Sequence, residues 1–399
     1  MRVAFFTDSF HEVNGVALTS RQFDAFARKR GLPFLSIHAG PRTDYRVEGQ
    51  HHTLELARSR AAVPIERDMA FDPMLPQRKE EVGPILRGFR PDVIHITGPS
   101  DIGILGAWLA HRQRVPLLAS WHTNLHEFAA LRLNKLIAFT PGGVRRKITQ
   151  FAEQQALALC AKFYGLARVI LAPNRELVEL LHSRTGKPAF LMERGADTVT
   201  FDPRKRDRTD GLFTLGFVGR VTPEKSVRVL VEVERALIAA GMEDYQFVIV
   251  GDGNEREWLR QNLRRAQFSG VLRGEALARA YANMDLLVFP SRTDTFGNVV
   301  VEAFASGVPA VVTAEGGPKF IVDSGVTGLV GTDDLAAHAV QIAVNPVLHR
   351  SMCVAARAKA LSMSWDRVFE SVYEAYGVCV APSARHAKSP TLADCRIGR

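Results

Sequence analysis

Two hydrophobic patterns alternate along this chain. Short, largely apolar runs (residues 3–6, 34–37, 91–96, 116–120, 169–172 and 189–192) have the length and β-branched content of buried strands. Between them, apolar residues return every three or four positions, as in 16–30, 82–89, the stretch from Ser100 to His111, and 153–164, which predicts helices packed on one face. Strand, loop, helix and strand in succession form a βαβ unit, and such units imply a parallel sheet. A charged, proline-containing stretch at 202–210 interrupts the pattern and reads as a linker. The pattern then restarts, with strands at 213–218, 246–250, 286–289 and 310–313 and a helix at 224–240. The expectation is an α/β chain of two Rossmann-like domains facing a central cleft, with boundaries at 1–200 and 201–362. An amphipathic helix within 363–380 and a disordered tail at 381–399 follow. Residues 58–76, with scattered prolines, read as irregular, and 271–275 as a short strand and loop.

In such a sheet, ligands bind outside the carboxyl ends of the strands. The richest loop there follows the strand at 286–289: Pro290 closes the strand, and Ser291-Arg292-Thr293-Asp294-Thr295-Phe296-Gly297-Asn298 leads into a short helix through Glu302. Asn298 reads as the helix N-cap and Gly307 as its C-terminal stop. Asp294 in the loop and Glu302 about a turn inside the helix are a candidate pair. A turn-capping Asp and a solvated Glu are the plain alternative. Arg220 and Lys225, after the strand at 213–218, place a guanidinium and an ammonium beside free N–H groups, which suits a diphosphate. Gly15 opens the first helix and either lets a backbone approach an anion or is an ordinary turn glycine. His122 lies where a strand yields to a loop, although a lone histidine there is more often structural. The full G-x-G-x-x-G fingerprint is absent: Gly251-Asp252-Gly253 begins one, but Arg256 holds the third glycine position, so a turn is expected instead.

Composition sharpens this picture. A net charge of +9 and a pI near 9.6 favour an anionic partner. No aromatic-interleaved basic module or zinc-finger spacing is present, so no nucleic-acid partner is expected. Cys160, Cys353, Cys379 and Cys395 are scattered, which fits a reducing compartment and no metal site. The first strand begins at once, without a signal peptide, and no apolar run reaches about 18 residues. A soluble, cytoplasmic protein is expected. Residues 128–150 contain no acidic side chain, and Arg132, Lys135, Arg145, Arg146 and Lys147 alternate with apolar residues. This fits either helices resting on the anionic inner face of a cell membrane or a solvated basic helix pair.

Taken together, Asn14-Gly15-Val16, Ser120-Trp121-His122-Thr123, Arg194-Gly195-Ala196-Asp197-Thr198, residues 219–225 and residues 291–307 resemble the retaining, GT-B-fold glycosyltransferases of family 4, over nearly all of residues 1–376. The resemblance is strongest to bacterial GDP-mannose-dependent α-mannosyltransferases and sulfoquinovosyl-diacylglycerol synthases. It implies a hexosyltransferase whose second domain holds a nucleotide-diphosphate sugar (GDP-mannose or a UDP-hexose). The first domain would take a carbohydrate or lipid-linked acceptor, and no metal or other cofactor would be required. By resemblance, Asp294 and neighbouring N–H groups hold the sugar hydroxyls, and Glu302 holds the ribose diol. Arg220 and Lys225 bind the diphosphate, and Gly15 approaches the phosphate or reacting sugar. His122 lies near an outer sugar hydroxyl. Arg273 and Gly274 border the base, and Phe296, Gly297 and Asn298 lie beside the diphosphate. Family members usually carry Glu where this chain has Asp294, one methylene shorter, which bears on which sugar fits. Two rival functions are a sugar-nucleotide epimerase and a membrane-associated binding protein without turnover.

Overall fold

The computed structural model describes residues 1–382 except 13, 67–68, 125–132, 134–136 and 138–140. Most of residues 128–140 of the basic stretch therefore lie outside the described residues, as do residues 383–399 of the tail, whereas 141–150 of that stretch are described. Two sheets organise the rest. In the first, β1 (Val3–Thr7) pairs in parallel with β2 (Phe34–Gly40) on one side and β7 (Val93–Ile96) on the other. The sheet continues from β2 to β4 (His51–Ala57) and the antiparallel edge strand β3 (Asp44–Glu48). From β7 it continues to β8 (Leu117–Ser120), β9 (Val169–Ala172) and β10 (Ala189–Leu191). The stretch at 58–76, expected to be irregular, holds a hairpin of β5 (Val63–Glu66) and β6 (Met69–Phe71) and a 3-10 turn at Leu75–Arg78. Antiparallel pairing of such short strands has no periodicity long enough to read.

The second sheet is parallel throughout: β13 (Ala266–Gly270), β12 (Tyr245–Val250), β11 (Phe213–Val218), β14 (Leu286–Phe289), β15 (Ala310–Thr313) and β16 (Gly328–Gly331), in that order. Its strand at 266–270 replaces the one expected at 271–275. The helix Gly274–Ala282 begins where that strand would have ended. Both sheets are doubly wound, so the order reverses at β1 in one and at β11 in the other. Loops leaving these strands diverge to opposite faces and open a crevice there.

Each domain has its own core. One packs around Phe217, Phe247, Tyr281 and Phe304 in the second domain, and another around Phe6, Leu35, Trp121 and Tyr164 in the first. A third cluster forms where the helix Trp365–Val380 returns to the first domain. There Phe369 stacks on Phe23 at 4.5 Å, and Arg30 pairs with Glu370 at 2.8 Å. The stretch expected as a linker is tied down, with Asp202 bonded to Arg204 at 2.8 Å and to Arg357 at 3.3 Å. Gly195 is pressed against Trp365, where an added Cβ would lie 2.4 Å from the ring. Among the described residues, no helix is long and apolar enough to cross a membrane.

Candidate active site

The loops after β11 and β14 leave the second sheet side by side. After β11, a continuous helix from 224 is not what forms. A 3-10 turn at Pro223–Lys225 ends at Ser226, whose φ of 51° halts the helical course, and the α-helix Val229–Ala239 starts afresh. That break turns Lys225 inward, where it is 8% exposed. Its ammonium meets both oxygens of Asp294, at 2.7 Å to Oδ1 and 2.6 Å to Oδ2. Burial alone would raise the Asp294 carboxyl, but the charge and hydrogen bonds of Lys225, with the charge of Arg220, outweigh it and hold the group below the usual carboxylate range. Arg220 is more open and lies 3.7 Å from Glu224.

The β14 loop is held by the glycines opposite it. Gly317 N–H donates to the Asp294 carbonyl at 2.6 Å. A Cβ on Gly317 would come 2.1 Å from the Thr295 carbonyl, so no larger residue fits. Gly297, at φ 108°, is the N-cap of the helix Asn298–Ala305, and Asn298 is its first residue rather than its cap. Only a residue tolerant of positive φ makes that turn without strain. Gly307, at φ 72°, ends the helix as expected.

The same loop spans the cleft. Thr295 Oγ1 donates to the His122 carbonyl at 2.7 Å, and Asn174 Nδ2 donates to the Thr295 carbonyl at 2.8 Å. The oxygen of that amide, Oδ1, accepts from Leu177 N–H at 2.9 Å and so caps the helix Arg175–Thr185, which fixes the amide's orientation. Gly15 opens the helix Gly15–Lys29 behind the cap Asn14, and an added Cβ would lie 2.7 Å from Asn298 Nδ2. Two residues assigned to the donor site from opposite halves of the sequence therefore meet.

Comparison with known proteins identifies the family and the fold. Residues 27–199 match the model of Glycosyltransferase Family 4, and residues 213–345 that of Glycosyl transferases group 1. A GDP-mannose-dependent alpha-mannosyltransferase of Mycolicibacterium smegmatis is 33% identical over 94% of this chain and 97% of its own. The chain belongs to glycosyltransferase family 4. Among solved structures, sucrose-phosphate synthase from Thermosynechococcus elongatus superposes with a TM-score of 0.71 at 19% identity, covering 95% of this chain and 99% of that one. Anabaena HepE in complex with UDP and glucose gives 0.64 at 16% identity, over 94% and 99%. These neighbours share the two-domain GT-B fold, and the family membership makes this chain a hexose-transferring enzyme.

The remaining positions divide into three groups. Glu302 accepts a hydrogen bond from Tyr281 at 2.8 Å, yet burial and the charge of Asp197 push its carboxyl up to about 7. This family 4 enzyme therefore holds one carboxylate firmly ionised and a second poised near neutrality, eight residues apart. Arg273 and Gly274 are exposed at the start of the helix Gly274–Ala282, and the positive charge of Arg273 reaches Arg21 of the first domain. The Phe296 side chain is 6% exposed and packs in the second-domain core, with Arg194 over its ring at 5.7 Å, so only its backbone is free to meet a ligand.

The His122 ring is engaged within the protein. Arg194 Nη2 donates to Nδ1 at 2.8 Å, so Nδ1 carries the lone pair and Nε2 carries the proton, donated to Ser120 Oγ at 2.7 Å. Burial and the nearby Arg194 hold the ring neutral, well below the usual histidine range. Ser120 also bonds His95 Nε2 at 2.9 Å, and His95 Nδ1 meets the Tyr376 hydroxyl at 2.6 Å. This chain of bonds reaches the returning helix. Arg194, Tyr281, Thr295 and Asn174 were not singled out from the sequence as site residues. Arg194 lies in the motif Arg-Gly-Ala-Asp, which is its signal. Thr295 lies inside the loop already picked out, whereas Tyr281 and Asn174 are brought in by tertiary contact alone.

Proposed function

We propose that this enzyme transfers mannose from GDP-mannose to an acceptor hydroxyl with retention at the anomeric carbon. The observation that carries this reading is the cluster of Arg220, Lys225 and Asp294 at the reversal point of the second sheet, faced by Gly15 and the His122 carbonyl of the first domain. The 33% identical mannosyltransferase supports GDP-mannose as the donor.

In this reading the diphosphate lies over Arg220 and the N-terminal turn of the helix Asn298–Ala305. Charge builds on the leaving diphosphate as its bond to the sugar breaks, and fixed cations stabilise that charge most where water is excluded. Lys225 links the two ends of the donor, since it neutralises Asp294 while facing the diphosphate side. Asp294 and neighbouring N–H groups receive the sugar hydroxyls, and Glu302 the ribose diol. The acceptor oxygen attacks from the face the diphosphate leaves, and a diphosphate oxygen takes its proton. The side-chain cations fill the charge-neutralising role, and the donor chemistry needs no metal. The Thr295, Asn174 and Gly15 contacts hold the domains together over the donor and keep water from it.

The test is transfer from GDP-mannose, compared with UDP-hexoses, to a panel of glycan and lipid-linked acceptors, with anomeric analysis of the product. GDP-mannose as the preferred donor and an α-linked product are expected. Consumption of donor to an altered nucleotide sugar without acceptor would identify an epimerase instead.

A second observation favours an acceptor at a membrane surface. On the helix Gly142–Tyr164, Val144, Ile148, Phe151 and Leu159 fall on one face and are 52%, 41%, 64% and 70% exposed. Arg145 and Lys147 flank that face, and Arg146 is exposed on the opposite side of the helix. Apolar side chains at helical spacing, flanked by cations, suit the headgroup region of an anionic bilayer. Sedimentation with anionic vesicles should fall sharply when Arg145, Arg146 and Lys147 are replaced by Glu, and equal sedimentation would discard the membrane reading.

A further inference from the structure

The loop between β1 and Gly15 carries a cluster that the donor chemistry does not use. His38 and Glu55 are direct register partners on β2 and β4, so their side chains rise from the same face of the first sheet. His11, in the β1–Gly15 loop, reaches back over them, with Nε2 3.8 Å from a Glu55 oxygen. One ligand-capable atom from each of the three residues lies within 4.8 Å of the others.

Three features make this more than a chance gathering of polar groups. His38 is 2% exposed, and its Nε2 has no hydrogen-bond partner within the protein, although a buried polar atom is normally satisfied. The ring is fixed from the side, stacked on Phe10 at 4.2 Å with the planes 2° apart. Glu55 folds over the sheet only because residue 40 is glycine, since a Cβ there would lie 2.0 Å from Glu55 Oε1. Two imidazoles and a carboxylate are the donor set that zinc favours when one coordination position stays open. A tetrahedral ion with ligands about 2.0–2.1 Å away holds those atoms roughly 3.4 Å apart, so modest closure of the cluster suffices. His11 is 51% exposed and gives an ion a way in.

We infer that His11, His38 and Glu55 form a binding site for a divalent transition-metal ion, with zinc the best fit. The site is separate from the diphosphate cations and stands independently of the donor assignment. A bound ion ties residue 11 of the loop to the sheet and so fixes the path of the chain into Asn14 and Gly15, three and four residues later. The fourth position, on the open side of His11, is left to water or to an oxygen of an incoming ligand.

The experiment is zinc titration of the chelator-treated, full-length protein by calorimetry, repeated on His11→Ala and Glu55→Gln, with magnesium as a comparison. One zinc per chain is expected, with at least a tenfold preference over magnesium and affinity lowered by about 10- to 100-fold or more in each variant. Cobalt in place of zinc should give the visible absorption of a tetrahedral site without a thiolate charge-transfer band, which separates it from Cys353 and the nearby His349. Because His11 is a surface residue, His11→Ala should keep the native melting temperature in the absence of metal. Failure of the native chain to bind zinc, or equal affinity and stoichiometry in both variants, would overturn the inference.

Discussion

The two Rossmann-like domains share a fold and treat their ionisable groups in opposite ways. In the second domain the key carboxylate is kept charged: Lys225 grips Asp294 at 2.6 and 2.7 Å and outweighs the effect of burial. On the cleft side of the first domain burial prevails, although further out Asp24, despite its burial, is held ionised by His51 and Arg28. His122 and His95 are held neutral, the latter with its pKa near 3, and the Asp8 carboxyl, bonded by Thr97, is raised above its usual value. A half that grips a dianionic leaving group gains from permanent charge. A half that presents a neutral hydroxyl to an electrophile gains from neutral, hydrogen-bonded walls that do not compete for the leaving group's cations. Glu302 is the exception on the donor side, with a pKa near 7.

The sharpest way to break this contrast is to remove the permanent charge. Arg220→Ala with Lys225→Ala should lower turnover by about 10³-fold or more, since single donors to developing charge are worth about 10²–10³ each. Lys225→Ala alone also strands Asp294, and losing one partner of a buried pair costs about 3–5 kcal/mol. Lys225→Met with Asp294→Asn removes both charges and spares that penalty. This pair should melt closer to the native protein than Lys225→Ala while remaining nearly inactive. If it transfers sugar at the native rate, the charged half has no catalytic part.

Next in size is the meeting of the halves. Gly15→Ala places a methyl 2.7 Å from Asn298 Nδ2, so either the amide or the domain must shift. Misplacement on the ångström scale costs up to about 10²-fold in rate. The loss should fall on kcat, with donor affinity in a binding assay changed less than about threefold. An unaltered kcat would show that the two halves need not approach so closely.

Glu302 sharpens the comparison through pH. Its carboxylate form accepts hydroxyl donors, so donor affinity should rise as pH increases through about 7, by about 10-fold between pH 6 and 8 for one coupled proton. The free enzyme shows the opposite sign. A carboxyl whose folded pKa lies above its unfolded value binds more protons when folded, so its contribution to stability is lost as pH rises from about 4.5 to about 7. Glu302→Gln should flatten both profiles, and an unchanged donor profile would place the proton on another group.

What the sequence made legible follows from where its signal lies. The two domains could be read because most central strands carry short, largely apolar runs and most helices an apolar period, whereas β4, with the sequence His-His-Thr-Leu-Glu-Leu-Ala, has no such run. Asp294, Glu302, Arg220 and Lys225 could be placed because each follows a strand end. The pairing of Lys225 with Asp294 was hidden, since it depends on the positive φ of Ser226, which breaks a helix the apolar pattern would have continued. The β5–β6 hairpin was hidden because proline-rich short strands have no period. By resemblance His122 lies near an outer sugar hydroxyl; what the sequence could not show is that Arg194, some seventy residues away, and Ser120 hold its ring nitrogens. No local pattern announces a partner that far off. The resemblance places the loop at 296–298 beside the diphosphate, and nothing in the sequence shows that the Phe296 ring within it packs into the core.

The smallest expected effect tests whether the neutral half is a scaffold. Tyr376 is the far end of the chain that runs through His95 and Ser120 to His122, and it sits on the helix that returns from the second domain. Tyr376→Phe keeps the ring packed and removes only the hydroxyl, leaving His95 Nδ1 without its partner in a fully buried site. The cost should be about 1–3 kcal/mol of stability, the penalty for an unsatisfied buried group. His122 remains held by Arg194 and Ser120, so turnover should fall less than threefold with no change in its pH profile. A large loss of kcat, or a new ionisation in the profile, would mean that the bond chain tunes His122 itself. The first domain would then take part in the chemistry through a proton, and the division between a charged half and a neutral half would fail at that ring.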